Sequence, residues 1–189
     1  VWLPLLVLSA LEGHLWGNLT VPFLKDAEVH ARLLLALPLL IFAEFVTHRR
    51  MRNLPQQFLE RKLISDDALP RFNAALDSAY RLRDSVLAEV LLLAFVYGVG
   101  VLIIWRQYVA FDTSTWYAMS TAGGPEPSWA GRWYGWVSMP IFQFVLCRWY
   151  FRLFIWARFL WQVSRIELRL IPTHPDRVGG LGFLSGTSV

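Results

Sequence analysis

WYGWVSMPIFQFVLCRWYFRLFIWARFLWQVSRIELRL, the stretch Trp133 to Leu170, decides the class of this protein. It is longer and more apolar than an ordinary core helix, and it carries Arg148, Arg152 and Arg158 inside the apolar run. A helix that crosses a bilayer needs roughly 20 apolar residues at about 1.5 Å each. An isolated arginine is costly at the bilayer centre, so it sits near an interface, pairs with an acid or lines a polar path. The stretch therefore predicts a membrane helix, and the rest of the chain is read for what surrounds it.

Composition agrees. Of 189 residues, 56% are hydrophobic and 17% charged, against about 25% charged in a soluble domain. That deficit is what a lipid-facing surface requires. Lys25 and Lys62 are the only lysines, so sixteen of the eighteen basic residues are arginine. The arginines and aromatics lie in apolar runs rather than on a polar basic face, which argues against nucleic-acid binding. The single cysteine, Cys147, excludes an internal disulfide and a cysteine-rich metal site, and in its apolar run it reads as a small buried hydrophobe. The start at Val1 and the end in GGLGFLSGTSV read as cuts from a longer multi-pass chain.

Four apolar runs are expected to span: residues 1–12 in part, 31–47, 86–106 and 133–157. Pro38 interrupts the second, which ends in the basic string His48-Arg49-Arg50-Met51-Arg52. Residues 53–85 are the long polar stretch and read as a cytoplasmic helical hairpin. Pro55 suits a first helical turn there, and Ser65-Asp66-Asp67 a stop and a new N-cap. Leu69, Phe72, Leu76, Ala79, Tyr80 and Leu82 then recur at helical spacing. Nothing visible breaks that helix before the third run, so one helix is expected to begin in water and enter the membrane. Within the third run, Gly98 and Gly100 suit close helix approach.

Residues 107–131 read as an external loop, with Trp105, Tyr108, Trp116, Tyr117, Trp129, Trp133, Tyr134 and Trp136 around it as an aromatic belt. The stretch His48–Ser85 holds eight Lys and Arg, and this loop none. The positive-inside rule then puts the hairpin in the cytoplasm. The fold class expected is all-α: a polytopic membrane helical bundle with a cytoplasmic helical hairpin and a last helix that extends beyond the bilayer, where it meets the Leu69–Leu82 helix.

Depth singles out four residues. Glu44 lies near the inner end of its span and Glu89 near the inner start of the next. Arg148 lies about 16 residues, roughly 24 Å, below the outer end of its helix, with Arg152 one turn further. All four fall in the inner third and form a candidate intramembrane charge cluster, in which an acid pairs with an arginine. Separate snorkelling of each side chain is the alternative.

The most signature-like string is PTHPDRVGGLGFL, from Pro172. His174 and Asp176 are too few for a metal site. Gly179, Gly180 and Gly182 lack the strand, helix and lysine of a phosphate loop. A His–Asp pair here has no Ser or Cys nucleophile beside it. The string reads as a tight loop that stops the helix, or as a ligand or headgroup loop of His174, Asp176, Arg177, Gly179, Gly180 and Gly182. No cofactor, metal or catalytic residue is expected.

HPDRVGGLGFL, PIFQFVLCRWYFRLFIWARFLWQVSR and VPFLKDAEVHARLLLALPLLI together resemble a family of bacterial multi-pass inner-membrane proteins of unassigned activity. The resemblance implies the bacterial inner membrane and a helical architecture, and carries over no catalytic residue. Three functions are open. The first is a non-catalytic structural, accessory or partner-binding component that contacts lipids, including anionic headgroups on the cytoplasmic side, and other membrane helices or copies of itself. The second is a channel or transporter subunit using the inner-third charges. The third is a lipid-acting enzyme using His174 and Asp176.

Overall fold

A proline inside a long helix poses a steric problem. The pyrrolidine ring collides with the carbonyl four residues back and offers no N–H to it. The computed structural model, which describes residues 1–16, 19–60, 63–105, 115–121 and 124–167, answers it the same way at Pro38 and at Pro140. A wide π-helical stretch precedes Pro38 at Ala31–Ala36 and precedes Pro140 at Tyr134–Ser138. The wider turn makes room for the ring, and the helix continues beyond it.

The helices are α1 (Trp2–Leu11), α2 (Ala27–His30), α3 (Leu37–Glu60), α4 (Leu69–Arg83), α5 (Val86–Phe95), α6 (Trp129–Trp133) and α7 (Met139–Ser164). The π stretches join α2 to α3 and α6 to α7, and a third, Val96–Trp105, extends α5. The chain divides into two compact units. Val1–Ile41 with Leu87–Arg148 forms the first, and Phe42–Val86 with the chain from Trp149 forms the second.

In the first unit α1 ends on Gly13, whose φ of 73° is left-handed. Gly13 N–H donates to the Ala10 carbonyl and His14 N–H to that of Ser9, a Schellman closure of the helix. Residues 107–131 are not simply a loop. Ala118–Thr121 (β1) and Gly124–Pro127 (β2) pair antiparallel, with Ala118 opposite Pro127 and Thr121 opposite Gly124. Ser128 then caps α6, its Oγ accepting from Gly131 N–H. The core here is Leu5, Phe23, Val29, Leu33, Trp116, Ala130 and Tyr134. Trp116 is 0% exposed and Tyr134 5%, so these two are core and not belt, whereas Trp129 and Trp136 are exposed. Of the two glycines expected to bring helices together, only Gly100 does: a Cβ there would lie 2.0 Å from Gln143 Oε1, while Gly98 faces open space.

In the second unit, α3 runs through Pro55 without a break, so the polar stretch begins inside the helix that started upstream. Ser65 accepts from Ala68 and Leu69 N–H through its carbonyl, and Pro70 sits in the first turn of α4. Phe72 and Ala75 of α4 are buried with Phe58, Leu63 and Ile64, and with Phe159 and Val163 of α7. Leu76, Ala79, Trp156 and Leu160 pack against that cluster. Leu69 and Tyr80 lie off this face, and Tyr80 carries the Arg83 guanidinium 5.0 Å from its ring centre.

The continuous helix expected from residue 69 into the third run is interrupted. α4 ends at Arg83 and α5 starts at Val86. At the break Asp84 accepts two hydrogen bonds from Arg83, Nε at 2.8 Å and Nη2 at 3.1 Å. This local fork holds the Arg83 guanidinium above its ordinary pKa and the Asp84 carboxyl below the usual carboxylate value.

Among the described residues one helix, Ala27–Val46, is long and apolar enough to cross a membrane. A second qualifies only if the helices on either side of the Asp84–Ser85 break count as one. The α7 run does not qualify, because Gln143, Arg148 and Arg152 dilute its apolar side chains. This helix starts at Ala27, four residues earlier than expected from the apolar run, because Asp26 caps it there.

Candidate functional site

The four charges picked out by depth resolve into two pairs, one in each unit. In the first unit Arg148 Nη1 lies 3.9 Å from Glu89 Oε1, with the side chains 38% and 52% exposed. That is an ion-pair distance without a hydrogen bond. In the second unit Arg152 Nη2 lies 2.8 Å from Glu44 Oε1, with exposures of 22% and 27%. That is a charge-assisted hydrogen bond between α7 and α3. Local sequence explains the geometry. Arg148 and Arg152 are one turn apart on α7, Glu44 lies in the apolar body of α3, and Glu89 opens α5. Chemically, each pair sets a carboxylate opposite a guanidinium, which offsets part of the cost of a lone charge in an apolar helix.

A second polar assembly lies in the first unit and was not singled out from the sequence. Asp26 Oδ1 accepts from Val29 N–H at 3.1 Å, which caps α2. Its Oδ2 accepts from the buried Trp116 Nε1 at 2.9 Å, across 90 residues of chain. Glu12 sets its carboxylate at the start of α6, accepting from Trp129 N–H at 2.8 Å and Ala130 N–H at 3.2 Å. An anion at that helix end meets the free amides and the positive end of the peptide dipoles. Arg32 donates to Tyr134 Oη at 2.7 Å, pairs with Glu28 and lies 5.7 Å from the centre of the Phe142 ring.

His30 Nδ1 accepts from Trp2 Nε1 at 3.0 Å, so the ring proton is assigned to Nε2. His14 is buried, with Nδ1 3.8 Å from Glu12 Oε2. Asp26 could have been found from the sequence, since an Asp one residue before an apolar helical run is an N-cap signal. Glu12 could not, because its partners are about 117 positions away.

The loop of His174, Asp176, Arg177, Gly179, Gly180 and Gly182 lies outside the described residues. Among the described residues no group of three His, Cys, Asp or Glu side chains is arranged to hold a metal ion. Comparison of the chain with protein-family models, with curated proteins and with solved structures finds no match.

Proposed function

We propose that this chain is a polytopic component of a bacterial inner membrane with a structural, accessory or partner-binding role. The observation that carries the reading is the uncovered state of its apolar helix. Only 17% of the Ala27–Val46 window is buried, where the core helix of a soluble protein would be mostly covered. Leu35 and Leu39 are each 63% exposed and Phe42 64%, so the surface of this helix is hydrocarbon. Such a surface calls for acyl chains or partner helices around it. Four charged residues inside the apolar runs, Glu44, Glu89, Arg148 and Arg152, meet in two pairs, which supports a register role. The basic residues between His48 and Ser85 orient that stretch to the cytoplasm. The resemblance to bacterial inner-membrane proteins supports the location.

Expression followed by an alkaline wash tests the membrane reading, which is refuted if the chain leaves the membrane pellet. Mild-detergent purification tests the role. A partner-binding component co-purifies in an assembly larger than one chain, and a monodisperse monomer with a water-filled cavity overturns it. One observation favours a conducting role instead. The Glu89–Arg148 pair is long and its side chains are 52% and 38% exposed. Liposome flux that falls on Glu89→Gln or Arg148→Gln supports that second reading, and unchanged flux removes it.

A further inference from the structure

In the second unit, Arg71 lies in the first turn of α4 and Arg165 directly follows the last turn of α7. Together with Gln162, Trp161, Ala74 and Ala75 they line an open cavity of about 370 Å³. That is within the range of small-ligand sites, roughly 300–1,000 Å³. No acid lines it among the described residues. Asp66 and Asp67 precede α4 but are not part of its wall. The two guanidiniums and the Gln162 amide supply several N–H donors, and the N-terminal end of α4 adds positive potential beside Arg71. The remaining wall is apolar. Trp161 is 60% exposed, and the Arg165 guanidinium lies 4.8 Å from the centre of its ring.

We infer that this cavity binds the phosphate of an anionic phospholipid headgroup. Paired guanidiniums match a phosphate, to which each can donate two hydrogen bonds. The apolar wall and the exposed indole match the glycerol and first acyl carbons, which a free phosphate ion lacks. An exposed tryptophan beside arginines is the composition of a membrane–water interface, where anionic headgroups are also attracted to basic residues. The inference rests on the membrane reading above and adds a defined site to it.

The test uses the full chain in detergent micelles containing equal amounts of phosphatidylglycerol and phosphatidylcholine, with retained lipid read by native mass spectrometry. The wild type retains phosphatidylglycerol in preference to phosphatidylcholine. The Arg71→Gln/Arg165→Gln pair lowers that preference about thirtyfold, given the roughly 1 kcal/mol that each of the two basic residues contributes near an anionic surface. Both arginines are exposed, so the double variant keeps the lipid-free melting temperature of the wild type. Arg81→Gln, on the same helix but outside the cavity, retains the wild-type preference. Millimolar inorganic phosphate leaves the bound phosphatidylglycerol in place.

Equal retention of the two lipids by the wild type overturns the site, as does an unchanged preference in the double variant. Full displacement by inorganic phosphate overturns the lipid assignment. Each of these results leaves the membrane reading intact, whereas a chain that stays dispersed without detergent and retains neither lipid removes both.

Discussion

Removing either partner of the Glu44–Arg152 pair should destabilise the protein more than removing both. At 2.8 Å the Coulomb attraction is about 6 kcal/mol at an effective dielectric of about 20. Desolvation of the two ions cancels much of it. What survives is an asymmetry. Arg152→Met removes the charge opposite the Glu44 carboxylate, and Glu44→Leu removes the one opposite the guanidinium. Stranding a fully buried partner costs about 3–5 kcal/mol. Here 22% and 27% of the side chains are exposed, so about 2 kcal/mol for each single variant is the expected loss, near 30-fold in the unfolding equilibrium. The double variant replaces the pair by hydrocarbon and should lose about 1 kcal/mol, a coupling of about 3 kcal/mol. The same cycle on Glu89 and Arg148, at 3.9 Å and more exposed, should give a coupling below about 1 kcal/mol. Equilibrium unfolding in mixed micelles, followed by the fluorescence of the ten tryptophans, measures both cycles. Additive losses within about 0.5 kcal/mol at Glu44 and Arg152, or a larger coupling at Glu89 and Arg148, would refute the argument.

Gly131→Ala should lose about 2–3 kcal/mol, because its Cβ would lie 2.0 Å from the Tyr117 carbonyl oxygen, which is backbone. Gly98→Ala, with nothing within 4 Å, should be neutral or slightly stabilising by thermal melting. Phe159→Ala empties a site between Phe72 and Trp156 and should cost about 3–4 kcal/mol by the same measurement. Trp116→Phe keeps an aromatic ring but removes the indole N–H that Asp26 Oδ2 accepts from and leaves part of the buried site empty, and a loss of about 2 kcal/mol or more is expected; a neutral result would show that the hydrogen bond contributes nothing. Asp84 should titrate below the ordinary aspartate value when its carboxyl is followed by NMR, because the Arg83 guanidinium donates to it. Its folded pKa is lowered, so its contribution to stability is present above the ordinary aspartate value and is lost as pH falls through the folded one. A midpoint at or above the ordinary aspartate value, or one unmoved by Arg83→Gln, contradicts the fork.

The helical content was legible because apolar periodicity is a local property. Phe72, Leu76 and Ala79 share one face by spacing alone, and that is the side of α4 packed with α7. Tyr80, counted on the same stripe, is exposed and lies against the Arg83 guanidinium. The break at Asp84–Ser85 was missed for a different reason. No Gly or Pro marks it, and the Arg83–Asp84 contact found there is not visible to periodicity. Residues 107–131 read as a loop because short strands rich in Gly, Pro and Ser carry little apolar alternation. Their pairing is set by the partner strand, and their anchoring by Trp116, whose indole finds Asp26.

Composition and spacing alone determined that the chain is built of helices, that its surface is unusually apolar, and that Glu44, Glu89, Arg148 and Arg152 are the charges to explain. These follow from residue counts and from a fixed rise per residue. Tertiary structure decided which acid meets which arginine, since helical spacing orders residues along one axis and says nothing about the rotation of the helix it faces. It likewise decided that Glu12 caps α6, that Trp116 is core rather than belt, and that Arg71 and Arg165 share a cavity. Each of those depends on segments far apart in the chain being brought within a few ångströms.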